Sequence, residues 1–160
     1  MIEVDIEVDV EVEHEAWTAA LPEAEAIVRA AAAAVLADRQ AGGQVTVLLT
    51  DDACIAELND RFRSKPGPTN VLSFPAAVSA RPHIGDVALA YGVCAAEAAA
   101  QGKRLEDHLT HLVAHGMLHL LGYDHATDAE AEEMEALERR ILAGLGAPDP
   151  YASENAAHAR

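Results

Sequence analysis

The chain has 160 residues, 51% of them hydrophobic, and a formal charge of −16 at pH 7. That length and apolar content suit a single compact domain and argue against disorder. No signal-peptide pattern and no run of eighteen uncharged apolar residues is present, so a soluble, cytoplasmic protein without a membrane span is expected.

The mean charge repels a polyanionic partner, but the charge is unevenly distributed. Residues 1–15 hold seven acids and residues 124–138 hold seven more. Between Arg61 and Arg104 the balance reverses: Arg61, Arg63, Lys65, Arg81, Lys103 and Arg104 stand against only Asp86 and Glu97. A local basic groove, and with it a nucleic-acid substrate, therefore stays open.

The first twelve residues, MIEVDIEVDVEV, alternate without a break between apolar even positions and mostly acidic odd ones. Period two predicts a strand with one buried face, its acidic face discouraging a second copy from pairing. A helix follows from about Pro22 to Arg39, stopped by Gly42 and Gly43. QVTVLLT (44–50) reads as a largely buried strand. Thr50 or Asp51 can cap the next helix, DACIAELNDRFR, whose Ile55, Leu58 and Phe62 share a face. SKPGPT is a turn-rich loop, NVLSF a short strand closed by Pro75, and GDVALAY (85–91) another strand. The rest is helical: VCAAEAAAQ ending at Gly102, a helix from about Leu105 to Leu121 ended by Gly122, and a last helix. That last one opens with capping-box spacing at Thr127 and Glu130 and fades near residues 144–146. The order β-α-β-α-β-β-α-α-α indicates an α+β fold, a four-stranded mixed sheet covered by helices, spanning residues 1–151 with a loose tail at 152–160. Cys54 and Cys94 form no CxxC pair and read as buried, reduced thiols.

The chemistry concentrates in HLVAHGMLHLLGYDH. Residues four apart on a helix point the same way within about 40°, so His115 and His119 can share one ion. His125 would point away on a continued helix. Gly122, just past the helix end, can take the left-handed conformation and return the chain. Three imidazoles with an open fourth position describe a catalytic site and suit zinc first, with other transition metals possible. A His111/His115 pair is a rival ligand set; otherwise His111 orients a ligand or faces substrate, and His108 is exposed. Asp124 either orients an imidazole or caps a turn.

A zinc protease needs a Glu directly after the first His, and Gly116 cannot serve as a base. Arg63 instead offers a guanidinium matched to phosphate, and metal-bound hydroxide with an arginine suits attack on a phosphodiester. His111 and Asp86 are candidate proton donors to the leaving group. Two other readings stay open: a non-catalytic assembly factor with a structural metal, and a metallopeptidase.

HGMLHLLGYDH resembles the signature of the YbeY endoribonucleases. LNDRFRSKPGPTNVLSFP, IGDVALA and EAEEMEALERRIL…DPY are similar to further blocks of that family, in order from Val45 to Tyr151. Phe62 replaces the usual Tyr, and the acid that often follows SFP is missing. The resemblance implies that His115, His119 and His125 bind zinc and that Arg63 is required for activity. It further implies metal-dependent cleavage of single-stranded RNA in ribosomal RNA maturation, notably at the three-prime end of the small-subunit RNA, and in ribosome quality control. The small ribosomal subunit and a ribosomal protein are the implied partners.

Overall fold

The computed structural model describes residues 5–151. Residues 1–4 of the expected first strand and the expected loose tail at 152–160 lie outside the described residues. Strands β1 (Ile6–Val12), β2 (Gly43–Thr50), β3 (Val71–Pro75) and β4 (His83–Ala90) form one sheet in the order β1-β2-β4-β3. β1 and β4 run parallel to β2, and β3 runs antiparallel to β4, which makes the sheet mixed as expected. β3 is thus an edge strand, with one side left for other groups.

Alternation along the strands decides which helix covers which face. Val8, Val10, Val45, Val47, Leu49, Val87 and Leu89 point into the main core. There they meet α2 (Ala24–Asp38), α5 (Leu105–Leu120) and α6 (Asp128–Gly144). Leu72, Ala88 and Ala90 point the other way and pack with Ile55 of α3 (Asp52–Arg63) in a smaller cluster. On β1 the acids Glu7, Asp9 and Glu11 are exposed, as the period-two reading requires. α4 (Tyr91–Gln101) continues directly from β4 and ends at left-handed Gly102.

Local chemistry sets the boundaries. The Asp51 carboxylate accepts from the Cys54 amide at 2.8 Å, which selects it over Thr50 as the cap of α3. Thr127 and Glu130 form the reciprocal capping box that starts α6. α2 starts at Ala24 rather than Pro22, and a further short helix, α1 (Ala16–Ala20), precedes it. Five residues are too few to show a period. Trp17 anchors that helix instead: it is fully buried, donates from Nε1 to the Thr50 carbonyl at 3.0 Å and meets Tyr91 edge-on.

Three side chains depart from the sequence reading. Phe62 is 61% exposed, resting edge-on against Phe74 of the edge strand at 5.7 Å. Cys54 is only half-buried, being in the first turn of α3, whereas Cys94 is buried and burial pushes its thiol up to about 12. His108 is buried, not exposed: its Nε2 lies 2.9 Å from Glu97.

α5 lies against β3 and β4 where it has no side chain. A Cβ on Gly116 would stand 2.8 Å from Val87 Cγ1 and 3.1 Å from Ser73 Oγ, and Ser73 Oγ donates to the Gly116 carbonyl at 3.0 Å. Gly116→Ala should therefore destabilise the fold by about 1–3 kcal/mol through overpacking, read as a lower urea midpoint at unchanged slope.

Candidate metal centre and active site

α5 carries His115 and His119 one turn apart. Their ring centroids are 4.6 Å apart and their Nε2 atoms 3.1 Å apart. The helix then closes as a Schellman motif: Gly122 N–H donates to the His119 carbonyl at 3.0 Å and Tyr123 N–H to the Leu118 carbonyl at 3.1 Å. Gly122 has φ +99°, a conformation that favours glycine. The reversal returns His125 to within 5.7 Å of the His115 ring and 5.1 Å of the His119 ring, centroid to centroid. One ring nitrogen from each of the three histidines lies within 4.8 Å of the others.

These histidines line a cavity of about 510 Å³ whose other wall is the β3 edge, from Asn70 to Pro75. Arg63, the last residue of α3, reaches the same cavity and donates from Nη2 to the Ser73 carbonyl at 2.8 Å. Ser64, in the left-handed conformation, ends α3 there and so leaves Arg63 at the rim. The remaining basic residues do not join it. Arg61 pairs with Glu57, Lys103 donates to the Pro150 carbonyl, Arg104 pairs with Glu106, and neither Lys65 nor Arg81 lines the cavity. Among the described residues, Arg63 alone of these six basic residues lines the cavity with the histidines.

Burial, followed by the nearby His115 and His125, holds His119 below its ordinary value of 6.5, although the Tyr123 backbone and Asp124 pull the other way. A lowered histidine favours the neutral form in the folded chain. Its contribution to stability is complete above pH 6.5 and is lost as the pH falls through the lower folded value. An NMR titration of the metal-free protein should place the His119 ring midpoint below 6.5, whereas an ordinary exposed histidine titrates near that value.

The other sequence candidates have partners of their own. Asp124 lines the cavity, but its Oδ1 accepts from the His125 amide at 2.8 Å, so it serves the turn. Asp86 pairs with His83 at 3.4 Å and does not line the cavity. His111 lies with its Nε2 3.4 Å from Glu138 Oε1 and 3.4 Å from the Tyr151 hydroxyl, and His111, His115 and Glu138 form a second group of possible ligand atoms within 4.8 Å of one another, so the rival His111/His115 set stays open. Glu138 is the residue that sequence reasoning misses: fully buried on α6, with Oε1 2.7 Å from His115 Nδ1. A signal for it exists. Met134, Leu137, Ile141 and Leu142 form the apolar stripe of α6, and Glu138 occupies a position within that stripe.

The donor set suits a small transition-metal ion. Tetrahedral ligation at 2.0–2.1 Å separates two nitrogens by roughly 3.3 Å, near the 3.1 Å between His115 and His119. Three imidazoles, with the cavity open on the fourth side, match the pattern of a catalytic site rather than a closed structural one.

Comparison with known proteins gives a consistent result. The model of the family described as Endoribonuclease YbeY matches residues 7–146. A protein named Endoribonuclease YbeY from Rhodopseudomonas palustris (strain HaA2) is 52% identical over 136 residues, covering 78% of this chain and 70% of its own. One of the same name from Pseudomonas putida is 49% identical over 158 residues, 96% of each chain. The solution structure of a Thermotoga maritima protein is similar in fold, with a TM-score of 0.57 at 24% identity over 89% of this chain and 97% of that one.

Proposed function

The chain belongs to the Endoribonuclease YbeY family, and on that premise we propose that it is a zinc-dependent endoribonuclease specific for single-stranded RNA. It acts in the cytoplasm, in maturation of ribosomal RNA at the three-prime end of the small-subunit RNA and in ribosome quality control. The small subunit and a ribosomal protein are its partners, and residues 1–151 form the working domain. Family membership supports these biological roles. The chemical reading rests on one observation, the convergence of His115, His119 and His125 in an open cavity beside Arg63.

His115, His119 and His125 hold the ion, and zinc bound there supplies a water of lowered pKa or a Lewis acid for the phosphate. The protein's own groups do the rest. Arg63 binds a non-bridging phosphate oxygen: its guanidinium has further N–H donors beyond the one given to Ser73, so the bond to the β3 edge aims the fork without using it up. A donor fixed in advance stabilises the charge that builds on phosphate without reorganising during reaction. Burial and the neighbouring His115 and His125 lower the His119 pKa, which favours the neutral ring that a ligand must be. Because α5 has Gly116 beside the first ligand, no carboxylate adjoins the ion from that position. This disfavours the peptidase reading. The open cavity disfavours a purely structural metal.

Cleavage of a single-stranded RNA should fall by about 100-fold or more in Arg63→Ala, with zinc content unchanged. His119→Ala should lose both zinc and cleavage while its circular dichroism stays native. Undiminished RNA cleavage in both variants would exclude the assignment, and loss of fold in His119→Ala would favour a structural metal. The ends of the product identify the nucleophile: a cyclic phosphate implicates the ribose 2′-hydroxyl, a plain monophosphate implicates water.

A further inference from the structure

Glu138 is a fully buried carboxylate with every partner accounted for. Oε1 faces His115 Nδ1 at 2.7 Å and His111 Nε2 at 3.4 Å, and Oε2 accepts from the Tyr151 hydroxyl at 2.5 Å. Three possible donors thus surround the two oxygens of this buried group. A buried charge of this kind contributes little to stability alone, since an apolar residue of similar volume commonly does as well or better. The stripe around it is apolar, so a leucine or methionine would continue the pattern of α6. What the carboxylate does that an apolar group cannot is take a proton-bearing nitrogen of a histidine whose other nitrogen faces the cavity.

We propose that Glu138 is a positioning residue for the metal centre: by accepting the Nδ1 proton of His115 it fixes that ring's tautomer and plane and presents the Nε2 lone pair to the ion. This inference rests on the metal reading of the histidine cluster. A neutral imidazole carries its one proton on either nitrogen, and a proton on Nε2 blocks that atom as a ligand. With the carboxylate at Nδ1, the proton sits there, and Nε2 lies bare 3.1 Å from Nε2 of His119. Ligand histidines tied in this way to a carboxylate are a general device for orientation and basicity. The second oxygen is held in turn by the end of the described chain. Arg139 lies over the Tyr151 ring at 5.1 Å from its centroid, and Lys103 donates to the neighbouring Pro150 carbonyl at 2.8 Å. The segment Pro150–Tyr151 thereby holds Oε2 while Oε1 faces His115. His111, read from the sequence as a rival ligand, lies 3.4 Å from the same carboxylate oxygen, in a second group with His115 and Glu138.

The test uses the full chain, zinc as the probe and two variants. Glu138→Gln keeps the volume but turns an N–H₂ group towards at least one of three donors, so it cannot satisfy them all. Zinc affinity, measured by chelator competition, should fall about 10- to 100-fold in Glu138→Gln and by less in Tyr151→Phe, which leaves the His115 bond in place. Ring ¹⁵N shifts of the metal-free wild type, taken at mildly alkaline pH, should show His115 protonated on Nδ1; in Glu138→Gln they should show a mixture of tautomers. A purely structural glutamate would change the unfolding midpoint without moving these shifts or the affinity. The proposal is overturned if folded Glu138→Gln binds zinc as tightly as wild type, or if wild-type His115 carries its proton on Nε2. Should Glu138→Gln fail to fold, the wild-type tautomer alone decides. Failure of the wild type to bind zinc would instead overturn the metal reading, with the tautomer still reporting on Glu138.

Discussion

The close approach of α5 to the sheet at Gly116 is the constraint on which the site depends. With no side chain there, the helix settles against Val87, Ser73 and Val71, and the Ser73 hydroxyl ties β3 to the helix backbone. His115 precedes that contact and His119 follows it by less than a turn, so both rings emerge beside the β3 edge. A larger residue at position 116 would push the helix off the sheet and carry both histidines away from Arg63. The glycine that leaves the site without an adjacent carboxylate is therefore also the residue that seats it.

Two layers of the fold meet at this edge. α5 supplies His115 and His119 from the main-core side, whereas α3 packs on the opposite face through Ile55 and sends Arg63 around the edge strand. Only an edge strand permits this, because an inner strand would have its Ser73 carbonyl engaged by a neighbour. Arg63 and the two histidines thus arrive from opposite faces of one sheet, with the outer side of β3 between them. The acidic surface of β1 lies at the far edge of the sheet from β3, which keeps its charge away from Arg63.

Much of this was legible in the sequence, for identifiable reasons. Strong periods and caps gave the strands, the helix α5 and the capping box of α6, and the spacing of His115, His119, Gly122 and His125 carried the turn that brings the rings together. The comparisons place the chain in the family that HGMLHLLGYDH suggested. What stayed hidden depends on contacts between distant segments. α1 is held by the burial of Trp17, not by a pattern of its own. His108 is buried because Glu97, on another helix, reaches it. The charge run from Arg61 to Arg104 disperses because sequence neighbours there face different partners. Asp124 is the acid next to His125 in sequence, yet the carboxylate that meets one of the three rings is Glu138, 23 residues from His115 along the chain.

The central claim is that the clustered histidines hold an ion which RNA cleavage requires. It is tested most directly by stripping the purified protein with a chelator and returning zinc in known fractions of an equivalent, while following cleavage of a single-stranded RNA. The stripped protein should not cleave, and activity should return in proportion to bound zinc, complete at one ion per chain. Cleavage that survives stripping, or that zinc does not restore to a protein still folded, would contradict the claim.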